Sequence, residues 1–301
     1  YTQSDLETIF AEHLPGIDLA ELKRWYNGYS FLGERVYNPF DVLLYLDRRE
    51  FKNYWFETGT PTFLVDLLRE KQFFMPDLEN LRASEAILSS FDVDDISPEA
   101  LLFQTGYLTI KEMVQVGAQR TYDLTYPNLE VRSSLTDHLL ESFAKNTQQK
   151  RRNLDKLYAL LQEGKVEPLE ALFKSFFASI PYDWYRKNQL AGYEGYYASI
   201  FYTYFSALGL DLIAEDITNQ GRIDLTVKIA DLIYLFEFKV KGHCGDDNQA
   251  LKQLLNKKYH EKYSNDSGKV FLIGIEFDPE TRNITSFDWQ KAPASPASSS
   301  V

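Results

Sequence analysis

Gly221-Arg222-Ile223-Asp224-Leu225-Thr226-Val227-Lys228-Ile229, then Ala230-Asp231, then Leu232-Ile233-Tyr234-Leu235-Phe236-Glu237-Phe238-Lys239-Val240 is the stretch from which the rest of the chain can be read. Polar and apolar residues alternate over 222–229, which predicts a β-strand with Arg222, Asp224, Thr226 and Lys228 on one face and Ile223, Leu225, Val227 and Ile229 on the other. Residues 232–240 are apolar apart from Glu237 and Lys239, which predicts a strand covered on both faces. A symmetric hairpin about Ala230-Asp231 pairs 229 with 232, and therefore 224 with 237. Ala-Asp is not the favoured Asn-Gly turn, so a bulge is the route by which this register would shift.

Directly opposed residues have Cβ atoms about 5 Å apart, and like charges so placed repel. An Asp opposite a Glu on a covered face therefore calls for a cation, and carboxylate oxygens are the hard ligands that Mg²⁺ takes. Asp224, Glu237 and Lys239 are together the candidate centre. The plain alternative is a solvated acidic pair with Lys239 as its counter-ion.

Upstream, Tyr197, Phe201, Tyr204 and Leu208 follow a helical stripe that Gly209 ends, and Glu194 opens it on the side read as buried. A first-turn acid favoured by the helix dipole is the ordinary reading of Glu194. A short strand over Leu210–Asp216 and a turn over 218–221 lead into the hairpin. Downstream, a polar loop containing Lys241, His243 and Cys244 precedes a helix from about Asn248 to Tyr263. Gln249, Gln253 and Lys257 share one row of that helix and can face phosphates, although a solvated basic face serves equally well. A strand over Val270–Phe277 completes a compact α/β unit with a mixed sheet.

The chain has 301 residues, enough for about two domains. A formal net charge of −12 argues against a general polyanion binder, because phosphate contacts supply most non-specific affinity; a local basic groove stays possible. Lys145, Lys150, Arg151 and Arg152 form one basic cluster, read as a solvated face. One cysteine, Cys244, excludes an internal disulfide and suits a reducing compartment, so a cytoplasmic location is expected. No run of about 18 apolar residues occurs, so no membrane span is expected. The four histidines show no metal-ligand spacing, and no Ser-His-Asp arrangement can be identified.

The first half reads as helices with polar breaks: Leu6–His13 capped by Ser4 and Asp5, Asp18–Tyr26, Phe40–Leu46 and Pro61–Glu70. Over 97–140 the pattern changes to a helix at Pro98–Gln104, strands at Tyr107–Val114 and Arg120–Tyr126, and a helix from Asn128, a winged-helix-like order. Without a basic recognition helix, packing is favoured over DNA reading. The domains expected are 1–146, a helical linker over 147–186, the α/β unit over 187–290, and a disordered tail over 291–301.

Glu194, Gly221-Arg222-x-Asp224, Glu237-Phe238-Lys239, Ala250-Leu251-x-Gln253 and Lys257-x-Tyr259, in this order, resemble the PD-(D/E)XK (restriction-endonuclease-like) nuclease superfamily. The closer resemblance is to the branch in which the nuclease-like domain follows an AAA-ATPase-like region. Trp25-Tyr26-Asn27-Gly28-Tyr29, Val36-Tyr37-Asn38-Pro39-Phe40, Tyr54-Trp55-Phe56-Glu57-Thr58-Gly59 and Leu102-Phe103-Gln104-Thr105-Gly106-Tyr107-Leu108 carry that likeness in the first half. No Gly-x-x-x-x-Gly-Lys-[Ser/Thr] occurs, so the chain is read as a fragment or relative lacking the nucleotide-binding core, and no ATP hydrolysis is expected.

The resemblance implies a restriction-endonuclease-like mixed α/β core and Mg²⁺- or Mn²⁺-dependent hydrolysis of DNA or RNA. Asp224, Glu237 and Glu194 would hold the metal, with the Phe238 carbonyl as a further ligand. Lys239 would act on the attacking water, Gln253 would steady the site, and Lys257, Arg222 and Lys241 would meet nucleic acid. The alternative is an inactive nuclease-fold scaffold whose helical half binds a protein partner.

Overall fold

The structure is a computed structural model that describes residues 1–56, 62–71, 73–89, 97–143, 147–180, 194–241, 249–264 and 269–293. His243, Cys244, Lys145, Glu57-Thr58-Gly59 and the tail beyond 293 lie outside the described residues. The chain divides into two compact units, Tyr1–Leu139 and Leu140–Val301. Among the described residues no helix is long and apolar enough to cross a membrane.

In the first unit, α1 (Gln3–Ile9) starts earlier than expected, because Thr2 rather than Ser4 is its cap: Asp5 N–H donates to the Thr2 hydroxyl, and Thr2 N–H to the Asp5 carboxylate. α2 (Leu19–Tyr26) is capped by Asp18, and α3 (Pro39–Arg48) by Asn38 with Pro39 at its first position. Between them β1 (Asn27–Tyr29) and β2 (Val36–Tyr37) form a short hairpin, and Leu6, Leu22, Tyr26, Tyr37, Val42, Tyr45, Leu46 and Tyr54 make one core. α4 (Thr62–Glu70), β3 (Leu81–Ser84), α5 (Glu85–Ser89), α6 (Pro98–Gln104), β4 (Thr109–Val116), β5 (Gln119–Thr125) and α7 (Leu129–Phe143) follow. The expected two-stranded wing has a third strand, giving the order β3-β5-β4. Leu81-Arg82-Ala83-Ser84 alternates, but four residues are too short a run to read as a strand. What fixes β3 is tertiary: Arg82 pairs with Asp123 across the ladder, 2.6 Å between Nε and Oδ1.

Asp41 on α3 and Glu130 on α7 are both fully buried, and Glu130 Oε1 accepts the Trp55 N–H at 2.7 Å. Burial, then the neighbouring Asp41 carboxyl, pushes Glu130 up to about 10. Burial also lifts Asp41 to about 6. In the unfolded chain both release protons near pH 4. Above that the folded chain holds protons that the unfolded one has lost, so stability falls as pH rises from about 4 through these folded values. We expect denaturation of the first unit to need less urea at pH 8 than at pH 5, and Asp41→Asn to reduce that slope while leaving the part that burial of Glu130 sustains. An unchanged slope in the variant would show that the pair does not share a proton.

The second unit is built on a five-stranded sheet ordered β10-β9-β8-β7-β6, from β6 (Asp211–Thr218), β7 (Gly221–Ile229), β8 (Leu232–Val240), β9 (Lys269–Asp278) and β10 (Asn283–Lys291). All neighbours are antiparallel except β8 and β9, so the sheet is mixed, with the α/β order of a restriction-endonuclease-like core. The helices of the segment read as a linker, α8 (Thr147–Gln162) and α9 (Glu167–Ser179), fall within this compact unit. Phe173, Phe176 and Phe177 of α9 pack on Tyr197, Phe201 and Tyr204 of α10 (Glu194–Ala207), and that aromatic layer meets Phe236, Phe238 and Phe277 of the sheet. In the sequence, Phe173-x-x-Phe176-Phe177 declares a buried face but not what it is buried against. Lys150 is buried on Glu141 at 3.1 Å and so leaves the basic cluster.

On the opposite face, Ile223, Ile233, Leu235 and Leu272 pack with Leu254, Tyr259 and Tyr263. The expected single helix there is two pieces, α11 (Gln249–Asn256) and a 3₁₀ turn over Tyr259–Tyr263, parted at Lys258 with φ 49°. β10 was not foreseen. Its register shifts between Ile284 and Ser286, and that shift breaks the alternation by which a strand is read.

Candidate functional site

The hairpin has the register expected: Ile229↔Leu232 through Leu225↔Phe236, with Ala230 at φ 50° in the turn. The ladder stops there, one step short of Asp224 and Glu237. On its other side the β6–β7 ladder skips the step between Ala214↔Leu225 and Asp216↔Ile223, where Glu215 has φ 47°. Alternation breaks at the same place. Ile223 lies in the cluster under α11, yet Thr226, three residues on, donates to Asp216, which Tyr263 of that cluster also bonds. The strict two-face reading of 222–229 is thus corrected at Asp224.

Beyond Phe236, β8 keeps its parallel partner, Glu237↔Gly274 and Lys239↔Glu276. Backbone donors past the end of the β7 ladder need other acceptors. Phe238 N–H donates to Asp224 Oδ2 at 2.7 Å, and Val240 N–H to Glu194 Oε1 at 3.3 Å. Two acidic side chains from two different elements therefore close the split between the strands. An acceptor without a proton of its own suits that task.

Glu237 and Lys239 share the face toward α11, as their spacing predicts. Gln253 Nε2 donates to Glu237 Oε1; Lys239 Nζ donates to the same oxygen at 3.2 Å and to the Phe238 carbonyl at 3.0 Å, and stands 3.7 Å from Glu194 Oε2. Glu237 is 1% exposed, and its Oε2 is buried with no hydrogen-bond partner among the described residues. Burial, then the Asp224 carboxylate, lifts Glu237 up to about 8, and Lys239 pulls it back only in part. Burial also raises Asp224, against the Phe238 N–H and the Lys239 charge. For Lys239 burial acts downward, but the Glu237, Asp224 and Glu194 carboxylates together outweigh it and raise the amine.

This set has the chemistry of a cation site: two desolvated carboxylates, one orphaned oxygen, and an ammonium already drawn onto a carboxylate and a carbonyl. Among the described residues no three carboxylate, imidazole or thiol groups gather as a ready-made cage. Glu194 is half-exposed rather than buried, and it meets the centre through Lys239 and Val240.

The other expected residues are more dispersed. Arg222 is exposed and pairs with Glu215 at 2.8 Å. Lys257 is exposed just past α11. Lys241 donates its backbone N–H to the Phe277 carbonyl and lies by Asp278. Glu276 was missed. It is 3% exposed, sits beside Lys239 in register, and accepts the Gln249 N–H at the start of α11 at 2.6 Å. The signal was present, since a lone acid in the apolar run Ile273-Gly274-Ile275-Glu276-Phe277 is the same pattern that pointed to Glu237.

Residues 192–287 match the PD-(D/E)XK nuclease superfamily. Over 287 residues the chain is 52% identical to a protein described as "Uncharacterized protein in vnfD 5'region" from Azotobacter chroococcum mcd 1. The matched part is 95% of this chain and 55% of that protein, so the chain spans about half the length of its relative.

Proposed function

We propose, from the nuclease superfamily match over residues 192–287, that the second unit hydrolyses phosphodiester bonds of DNA or RNA with a divalent metal, Mg²⁺ or Mn²⁺. Members of that superfamily generally use divalent metals. The observation that carries the reading is the buried Glu237 Oε2 without a hydrogen-bond partner among the described residues, on a carboxyl that burial and the Asp224 charge make costly to ionise, a cost that a bound cation would offset. Asp224 and Glu237 would be the ligands, with the Phe238 carbonyl and Glu194 beside them. When bound, the ion supplies Lewis acidity to a phosphoryl oxygen and neutralises developing charge.

Lys239 is the proton-handling group. Three carboxylates hold it as an ammonium. Once a cation offsets Asp224 and Glu237, only Glu194 still opposes burial, and the amine is drawn toward its neutral form, able to take a proton from an attacking water. Gln253 keeps Glu237 Oε1 occupied, so that Oε2 is the oxygen left for a ligand.

The test is incubation of the purified chain with single- and double-stranded DNA and RNA, with Mg²⁺, Mn²⁺ or chelator. Metal-dependent cleavage supports the reading. No cleavage of any of these favours the scaffold alternative, in which the helical half binds a protein; Phe31 and Phe63, exposed at 72% and 60%, are the observation in its favour.

Lys257 offers a second check. If it meets a phosphate, Lys257→Ala should weaken nucleic-acid binding and lower the slope of log affinity against log salt by about one ion. Lys262 is no fair comparator, because its ammonium holds the buried Asp216. Arg151→Ala, on an exposed face of α8, removes one positive charge without that cost. Equal slopes in the two variants would leave only general electrostatics.

A further inference from the structure

We propose that Asp216 is a positioning residue for Asp224: its carboxylate clasps β7 beyond the point where the ladder opens, and so keeps Asp224 turned toward the Phe238 N–H. For its catalytic consequence this rests on the proposed function; the clasp itself is a set of hydrogen bonds.

In the β6–β7 register Asp216 pairs with Ile223, and Ile213 with Thr226. Paired residues share a face of the sheet, and residues an odd number apart on one strand face opposite ways. Thr226 and Lys228 stand opposite Leu235 and Ile233, which belong to the cluster under α11, and Lys228 Nζ lies 4.8 Å from the centre of the Tyr263 ring. Ile223 lies in the same cluster, although it is three residues from Thr226. β7 therefore turns over between 223 and 226, and Asp224 sits in the turned segment, where Glu215 of β6 has φ 47°. Such a segment gives up ladder bonds on both sides of β7, so other groups must hold it.

The Asp216 carboxylate spans the turned segment. Asp216 is 1% exposed; its Oδ2 accepts the Thr226 hydroxyl at 2.8 Å and the Tyr263 hydroxyl, and its Oδ1 accepts the Lys262 ammonium. Lys262 Nζ also donates to the Ile217 carbonyl at 3.0 Å. Register pairing with Ile223 thus holds β7 before Asp224, and the Thr226 hydroxyl holds it after. The 3₁₀ turn supplies the charge and the further donor that a buried carboxylate needs. An Asp216 that only tied the 3₁₀ turn to β6 would need no bond to β7, so the Thr226 bond is what separates positioning from packing.

Removing the carboxylate would orphan three donors at once, so the test is made on its β7 partner. Thr226→Val removes the hydroxyl and leaves Asp216 with Lys262 and Tyr263. The readout is amide hydrogen exchange, followed by ¹⁵N NMR of the full chain without metal. The Phe238 N–H, which Asp224 Oδ2 accepts at 2.7 Å, should exchange at least about tenfold faster in this variant. The Val240 N–H, held by Glu194, should keep its rate. Thr226→Ser keeps the hydroxyl and should restore the parent rate at Phe238. Thr203→Val removes an equally buried hydroxyl, bonded to the Ser199 carbonyl within α10, and should leave Phe238 unchanged.

Should the parent chain cleave nucleic acid, Thr226→Val should lower kcat about tenfold at unchanged KM, and Thr226→Ser and Thr203→Val should not. A Phe238 amide unmoved in Thr226→Val, or accelerated equally in Thr226→Ser or Thr203→Val, overturns the clasp. Cleavage unchanged in Thr226→Val despite faster Phe238 exchange overturns the positioning role. Absence of cleavage by the parent would count against the nuclease reading and leave the Phe238 exchange to decide the clasp.

Discussion

Asp224→Asn is expected to lower metal-dependent cleavage of DNA or RNA at least about 10³-fold while raising, not lowering, thermal stability. The two effects have one cause. Asp224 is partly buried beside Glu237; burial is the main cause that lifts both from the ordinary carboxylate range, and the Asp224 charge adds to the lift of Glu237. The amide oxygen of the replacement can still accept the Phe238 N–H that closes the strand split. The lost charge relieves Glu237, a gain of order 1 kcal/mol, since one pKa unit is worth about 1.4 kcal/mol.

Lys239→Ala should abolish cleavage as thoroughly with the opposite effect on stability, because Glu237 loses the ammonium that offsets its burial. Melting curves at pH 8 without metal, set against cleavage rates, separate the two variants. Equal cleavage by Asp224→Asn and the parent would remove the metal-site reading. A large fall in its Tm would show that Asp224 serves the fold rather than a cation.

Gly274→Ala should cost about 3 kcal/mol or more, an overpacking penalty at the upper end of the usual range. Gly274 stands beside Glu237 in the parallel register, and an added Cβ would lie 2.2 Å from Leu251 N, 2.8 Å from its Cα and 2.9 Å from the Ala250 carbonyl carbon. All three atoms are backbone of α11, so no side-chain rotation makes room; the helix must lift from the sheet. Because α11 carries Gln253 to Glu237, cleavage should fall together with Tm. For a unit of this size the loss corresponds to roughly 6–12 °C. A Tm within about 2 °C of the parent would mean that the helix does not sit as close as described.

Much of this architecture is legible in the chain because its signals are local. Alternation over 222–229, the near-continuous apolar run over 232–240 and a two-residue connection determine both the hairpin and its register. The Glu237-Phe238-Lys239 spacing places the acid and the lysine on one face. The caps at Asp18 and Asn38 start two helices where their side chains can reach the first free N–H groups.

Other features depend on partners far away in sequence. The interruption of both ladders at Asp224 requires Glu215 to turn left-handed opposite it, and nothing in Asp224-Leu225-Thr226 declares that. Glu194 reads as a buried first-turn acid, whereas the tertiary structure leaves it half-exposed and bonded to a β8 N–H that β7 no longer reaches. The break at Lys258 turns one expected helix into two pieces and sets Tyr259 in the cluster of Ile223, Leu254 and Tyr263. Local pattern determined which elements form and which face each buries, because period and capping act within a few residues. Where the ladder ends, and which polar groups must then satisfy the backbone and one another, was decided only by tertiary packing, because hydrogen-bond satisfaction and desolvation depend on neighbours that only the fold supplies.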